Sequence, residues 1–578
     1  MQDQNRAVTV DLDVPARMRD GTTLRANIYQ PAGEGRWPVL LTRLPYGKDL
    51  PGGSSVLDPV QAARRGYVVI VQDTRGCGAS DGDWYPFRAE ADDGVDTIAW
   101  AAGLPFSDGQ VGMYGASYFG YTQWSAAVHQ PPALKAMVPF ITWADPLNGV
   151  VYRGGAFELG TSASWNLMMG LGQLFRRHGQ DPRALGPALA AWARESDALG
   201  ATGYAALPLA EFAPLRRQDV APAFFDWMDV PLDRSQEPYT YLSILGKHDR
   251  VQAPTLNVGG WFDIFLAGTI ANFTAMRAQG KPAKLLIGPW THGGVSNPIG
   301  ERNFGFGAQA GLIDLRMDLG GVQLCWFDHW LKGRDTDMME EAPIKLFVMG
   351  ADVWRDEREW PLARAIETPW YLREGGGLSP DRPANETSDR YDYDPSDPTP
   401  TRGGALLMTP EYPGGPYDQR VIEARPDVLT YTSAPLERDT EVTGPITVRL
   451  WAVSSAPDTD FVARLADVFP DGRSFNLTDG IVRARYRALA GGEPPSPIEP
   501  GRAYEYAIDL WATSNVFRAG HSIRLQVTSS CFPRWDRNPN TGHPIEADAE
   551  LRVAHQEILH DREHSSHVIL PVVGPAAG

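Results

Sequence analysis

The chain has 578 residues, more than one hydrophobic core accommodates, so two to four domains are expected. Hydrophobic residues make up 43% and charged residues 21%, an ordinary globular balance that sets low-complexity readings aside. The net charge of −18 argues against a nucleic-acid surface, which needs a basic excess, and mainly favours solubility.

The three cysteines, Cys77, Cys325 and Cys531, lie far apart and give neither a disulfide framework nor a metal-binding CxxC pair. No cofactor and no metal are expected. The first ten residues are polar, with no signal-peptide core, and no run of about 18 apolar residues suggests a membrane span. The expected location is the cytoplasm; a leader removed before this sequence begins stays open.

In chain order, Val8 to Val14 alternate as a strand, Asp20-Gly21 marks a hairpin, and a second strand follows from Leu24 to Tyr29. Trp37–Thr42 and Tyr67–Asp73 are continuous apolar runs of the kind found inside a parallel sheet. The first leads into Pro45-Tyr46-Gly47-Lys48. The second leads into the glycine-rich loop 74–82, which lacks the Gly-Lys-Ser/Thr of a phosphate loop. Glu90–Ala101 reads as a helix. Then a short apolar run reaches Gly115-Ala116-Ser117-Tyr118-Phe119-Gly120 and passes into a helix. That is the shape of a nucleophile elbow, although the second glycine of G-x-S-x-G comes one place late.

From 144 to 241 helical stretches dominate: Ala163–Arg177, Ala184–Ala198, Leu209–Gln218 and Ala223–Met228. The segment reads as an inserted cap. Strand-and-helix alternation resumes with Pro254–Asp263, a helix from Ile264 to Gln279, Ala283–Gly294 and a helix from Leu315 to Leu331. After about 351, short strands and turns indicate a β-sandwich of jelly-roll type. The expected class is therefore α/β, with the α/β segments at 1–143 and 242–352, a cap at 144–241 and the sandwich at 353–578.

Ser117, Asp263 and His292 each follow a predicted strand, where open α/β sheets carry their chemistry. Their order, Ser…Asp…His, is that of α/β-hydrolases. A serine is a weak nucleophile until a base takes its proton; histidine does this near neutral pH, and an aspartate fixes the histidine tautomer. Ser117 and Asp263 each have a plainer reading when taken alone, since both precede helices and suit capping; His292, in a glycine-rich loop, has few. The acidic residues Asp92, Asp93 and Asp96 read as a solvated face or as arginine partners. His555, His560, His564 and His567 read as strand and turn residues of the sandwich.

The stretches 45–48, 72–76, 115–120, 260–263, 288–292, 326–333 and 429–436 together resemble the cocaine esterase-like family of serine hydrolases, relatives of X-Pro dipeptidyl peptidases and α-amino acid ester hydrolases. The late Gly120 is the form that family uses. The resemblance implies an α/β-hydrolase with a helical cap and a jelly roll, and a catalytic triad of Ser117, Asp263 and His292. It also implies an oxyanion hole made by the Tyr46 hydroxyl and the Tyr118 backbone N–H. Ile264, Phe265 and Leu266 follow the acid where amino-acid ester hydrolases carry carboxylates; Asp145 remains one carboxylate near Trp143. An acyl pocket lined by some of Trp143, Trp165, Trp261, Phe262 and Phe265 fits a carboxylesterase for aromatic or apolar acyl groups. The alternatives are an amide-cleaving relative (a β-lactam side-chain acylase, an α-amino acid ester hydrolase or an X-Pro dipeptidyl peptidase) and a sugar-binding jelly roll using Trp511, Phe532 and Trp535. The expected partner is a small-molecule ester or amide, with no nucleic acid and no membrane; a homodimer is the assembly left open.

Overall fold

The computed structural model describes residues 6–51, 56–217, 219–228, 235–489 and 493–574. Met1–Asn5 of the polar N-terminal stretch and Gln218, the end of the third cap helix expected from sequence, lie outside them.

One ten-stranded sheet carries the first half of the chain. Its strands are β1 (Val8–Arg17), β2 (Thr23–Pro31), β3 (Trp37–Leu44), β4 (Val68–Asp73), β5 (Ser107–Ala116) and β6 (Leu134–Phe140). After a two-residue hairpin, β7 (Tyr152–Arg153) and β8 (Ala156–Phe157), it continues with β9 (Thr255–Phe262), β10 (Ala283–Thr291), β11 (Ile344–Val348) and β12 (Val353–Glu357). The spatial order is β1-β2-β4-β3-β5-β6-β9-β10-β11-β12. Strands from β4 to β11 in that order pair in parallel, and β1, β2 and β12 run antiparallel at the edges. Val39, Leu41, Val69, Met113 and Val258 are fully buried because helices cover both faces, which explains the unbroken apolar runs in these strands. Helices α1 (Pro59–Arg64), α2 (Glu90–Ala102) and α3 (Tyr118–Ala127) supply part of that cover. The sheet runs past 352: β12 pairs with β11 from Ile344↔Glu357 to Val348↔Val353, so 353–357 belong to this sheet and not to the sandwich.

Between β8 and β9 the chain is helical. It forms α4 (Leu159–His178), α5 (Pro182–Leu199), α6 (Ala213–Arg216), α7 (Pro222–Met228) and α8 (Tyr239–Leu242). The single helix expected from Leu209 breaks into a 3₁₀ turn at Leu209–Glu211 and the short α6, because Pro214 has no N–H to continue the ladder. The sheet resumes at β9, followed by α9 (Leu266–Ala278) and, after β10, α10 (Leu319–Lys332). Among the described residues no helix is long and apolar enough to cross a membrane.

The rest is an eleven-stranded β-structure from β13 (Ala365–Arg373) to β23 (His567–Val573). Its longest strands, β17 (Thr440–Ser454) and β20 (Ala503–Phe517), pair antiparallel along nearly their whole length. It docks on the first half through the segment that begins the cap. Phe157 N–H donates to Asp536 Oδ1 at 2.6 Å, and Trp535 Nε1 donates to Glu158 Oε1 at 2.9 Å. The Arg153 guanidinium lies 3.7 Å from the Trp511 ring. Gly154 permits this contact: its φ is +54°, and a Cβ there would sit 1.9 Å from the Ile481 carbonyl oxygen. Trp511 and Trp535 are therefore buried interface residues, and Phe532 is half-buried, which removes them as an exposed sugar platform. Of the four C-terminal histidines, three sit against acids of the sandwich (His555 with Asp392, His560 with Asp389, His564 with Asp561), and His567 meets the Ser565 carbonyl. Asp92 and Asp96 pair with Arg19, and Asp93 with Arg75.

Candidate active site

The residue after β5, the residue after β9 and the residue after β10 meet at one edge of the parallel sheet. His292 Nε2 is 2.9 Å from Ser117 Oγ, and His292 Nδ1 is 2.6 Å from Asp263 Oδ1. Asp263 is fully buried and its other oxygen accepts the Phe265 N–H at 3.0 Å. Asp263 thus pins the Phe265 backbone with one oxygen and holds the imidazole with the other; the N-cap of α9 is Phe265, with no side-chain capping bond, so the helix-cap reading of Asp263 is not met.

Ser117 sits in a strained backbone conformation, φ 56° and ψ −121°, and its side chain makes no capping hydrogen bond to α3. The strain persists because the surroundings fix it. Ser117 N–H is shared by the carbonyls of Phe140 (2.9 Å) and Ile141 (3.2 Å), and the Thr142 hydroxyl donates to the Ser117 carbonyl at 3.0 Å. The displaced glycine has a packing reason. A Cβ on Gly120 would lie 2.8 Å from Thr142 Cβ and 3.0 Å from the Phe140 carbonyl oxygen, so the close approach of α3 to the end of β6 requires glycine there. Phe119, at the usual glycine position, lays its ring over Gly115, where a Cβ would come within 2.3 Å.

Tyr118 opens α3, so its backbone N–H lies at a helix N-terminus, outside the intrahelical ladder. Its side chain is anchored behind the site: the phenol donates to Glu90 Oε1 at 2.7 Å and accepts from Phe87 N–H at 3.0 Å. Glu90 in turn pairs with the buried Arg43 at 2.9 Å. Burial, with the Glu90 carboxylate adding to it, holds the Tyr118 phenol well above the ordinary tyrosine range. Tyr46 follows β3. Its ring meets Tyr118 and Phe119 edge-on, with centroids 6.4 and 6.3 Å away. Enclosure pushes its phenol up to about 12, against its side-chain hydrogen bonds with Trp165 and Ser117, so it stays a neutral O–H donor through the neutral range. Tyr46→Phe keeps the ring contacts and removes the hydroxyl, which is both the donor to the oxyanion and the acceptor of the Trp165 N–H. The expected result is a loss of kcat of about 10²- to 10³-fold with KM little changed, measured on a phenyl ester.

A cavity open to solvent, about 410 Å³ with its mouth included, lies beside Ser117. Trp143, Trp165 and Phe265 line it. Trp143 is fixed by its Nε1 donating to the Leu242 carbonyl at 2.9 Å, and Phe265 stands edge-on to the His292 ring at 5.2 Å. Trp261 and Phe262 do not line it. Both are still strand residues of β9: Trp261 Nε1 donates to the Phe347 carbonyl at 2.7 Å and its ring faces Trp360, while Phe262 pairs in register with Thr291. The sequence reading missed Phe87, Val150 and Leu407. Phe87 lies in the loop before α2 with φ +66°, and Leu407 comes from the sandwich; neither position carries a motif. Trp227, in α7 of the cap, also lines the cavity. Phe224 instead packs inside the cap against Phe157 and Phe212, and Phe175 is half exposed. Asp145 Oδ1 accepts from Leu147 N–H at 3.0 Å, and Asp145 is not among the residues that line the cavity.

A hydrogen-bonded serine, histidine and aspartate at the C-terminal edge of a parallel sheet, under a helical cap, define a serine hydrolase of the α/β-hydrolase class. The chain matches the family model of the X-Pro dipeptidyl-peptidase (S15 family) over residues 20–294 and that of the X-Pro dipeptidyl-peptidase C-terminal non-catalytic domain over 336–569. It is 38% identical over 591 residues to "Cocaine esterase" of Rhodococcus sp. (strain MB1 Bresler), covering 99% of this chain and 100% of that protein. A solved aminopeptidase from the marine sediment archaeon Thaumarchaeota archaeon superposes with a TM-score of 0.80 at 25% identity, over 99% of this chain and 97% of that one. A solved α-amino acid ester hydrolase superposes at 0.79 over the same shares; at 24% identity this likeness speaks to the fold alone. The chain belongs to the cocaine esterase-like family of serine hydrolases.

Proposed function

We propose that this serine ester hydrolase acts on esters with an aromatic or apolar acyl group, through an acyl-enzyme on Ser117. The observation that carries this reading is the wall of the cavity beside the serine: Phe87, Trp143, Trp165, Trp227 and Phe265 face it, and no Asp, Glu, Lys or Arg lines it among the described residues. Burying an apolar ring there is favourable by about 25 cal/mol per Å² removed from water. An ammonium group would lose its hydration with no carboxylate to replace it. This weighs against the amide-cleaving relatives that recognise an α-amino group.

Two distances, His292 to Ser117 and to Asp263, support the proton transfers in this reading. His292 Nε2 takes the Ser117 proton as the oxygen attacks the ester carbonyl, while Asp263 stabilises the imidazolium through Nδ1–H. The oxyanion is held by the Tyr46 hydroxyl and the Tyr118 N–H. His292 gives its proton to the leaving alcohol, then activates the water that cleaves the acyl-serine.

The test is a panel that varies the acyl half at constant phenol leaving group: phenyl benzoate, phenyl acetate and glycine phenyl ester, with an X-Pro anilide beside them. The expected order of kcat/KM places benzoate first, and glycine phenyl ester and the anilide last. A preference for the glycine ester or the anilide would overturn the acyl assignment.

A further inference from the structure

Tyr46 carries a hydrogen bond that its place in the loop after β3 does not explain. The indole N–H of Trp165 donates to the Tyr46 phenolic oxygen at 3.1 Å. Trp165 belongs to α4, the first long helix of the cap, 119 residues along the chain from Tyr46. The contact therefore joins the cap to the sheet edge at the reacting atoms. Its direction matters chemically. An indole offers only a donor, so the bond occupies a lone pair of the phenol and leaves the phenol hydrogen to point elsewhere. Ser117 Oγ is the group toward which that hydrogen is free to turn. A donor into the oxygen also draws charge from the O–H and strengthens it as a donor, the cooperative effect of hydrogen-bond chains in a low-dielectric site.

The indole is itself held in place. It stacks on Phe87 (5.8 Å, 12° between planes) and on Trp227 (5.9 Å, 16°), so its N–H is aimed by two neighbours and does not depend on one rotamer. We infer that Trp165 is a positioning residue of the oxyanion hole, whose indole N–H orients and polarises the Tyr46 hydroxyl and so makes the cap helix part of the transition-state machinery. This goes beyond its place in the cavity wall: a wall needs the ring, whereas this role needs the N–H. It rests on the reading of Tyr46 as the oxyanion donor.

The test is a double-mutant cycle of Trp165→Phe with Tyr46→Phe, read on phenyl acetate, whose acyl group is too small to use the aromatic wall. Binding of propylboronic acid, which forms a tetrahedral adduct on the serine without a ring, gives a readout independent of turnover. Benzothienylalanine at position 165 keeps the shape of tryptophan and removes only the N–H, so it replaces Trp165→Phe where that variant loses stability. The expected result is a loss of kcat of about tenfold with KM for phenyl acetate unchanged, as for one neutral hydrogen bond. The boronate Kd rises by the same factor; in the Tyr46→Phe background kcat falls no further and the boronate Kd rises no further. Two results would overturn the inference: losses that add independently in the cycle, or an unchanged kcat and boronate Kd with only the benzoate KM raised. An unchanged kcat in Tyr46→Phe alone would instead remove Tyr46 from the oxyanion hole, and the two failures are read from different corners of the cycle.

Discussion

Ser117→Ala is expected to lower kcat on phenyl benzoate by about a million-fold, to within about 10³- to 10⁴-fold of the uncatalysed rate, while substrate affinity is retained. The size follows from the arrangement. With the hydroxyl gone, His292 Nε2 has no proton to take, and no covalent path remains. What persists are the Tyr46 hydroxyl, the Tyr118 N–H and the aromatic wall, which still orient the ester against water. The variant should fold, because Ser117 is tied into the elbow by its backbone N–H and carbonyl, and alanine keeps both. Turnover near that of the parent on pure, contaminant-free protein would mean that the nucleophile is elsewhere.

Asp263→Asn should cost about 10⁴-fold in kcat, and the structure says which way the new amide turns. Asp263 Oδ2 accepts the Phe265 N–H, a donor fixed in the backbone, so the asparagine oxygen must stay on that side. Its NH₂ then faces His292 Nδ1, 2.6 Å away in the parent. That forces the imidazole proton onto Nε2, where a lone pair is needed to accept from Ser117. The wrong tautomer, more than a lost charge, is what disables the site. Stopped-flow or steady-state assay on the same phenyl ester reads the effect. A loss under tenfold would indicate that the Asp263–His292 contact does not set the tautomer.

Some of this was readable in the sequence for direct reasons. The apolar runs of β3 and β4 mark strands buried on both faces, and the residues just past β5, β9 and β10 fall at a common edge because parallel strands end on the same side. Ser117, Asp263 and His292 could be brought together on that basis. Tyr46 could not: after a strand and before a glycine it reads as a turn residue, and only the resemblance to a family singled it out. Trp261 and Phe262 were misplaced because adjacency in sequence to Asp263 is not adjacency in space. The strand ends at Phe262, so these two side chains leave through the faces of the sheet, and only Phe265, past the turn, reaches the cavity. Leu407 was invisible because its contribution depends on the docking of the sandwich. The strands β18 (Asp460–Val468) and β19 (Ser474–Arg483) also conceal their role. All their residues are buried, Asp460, Arg464, Asp479 and Arg483 among them, so alternation gives no clue to a one-sided strand. These charges are kept inside by one another: Arg483 pairs with Asp460 at 2.8 Å and with Asp536 at 3.0 Å.

The central claim is that an aromatic acyl group passes through a covalent bond to Ser117. The most direct measurement is rapid acid quench of the protein turning over phenyl benzoate, followed by proteolysis and mass analysis of the peptide that contains Ser117. The account predicts a benzoyl adduct on Ser117 that appears within the first turnover, decays as substrate is exhausted, and is absent from the Ser117→Ala protein. Steady turnover with no adduct on that peptide at any quench time, or a benzoyl group mapped to another residue, would contradict it.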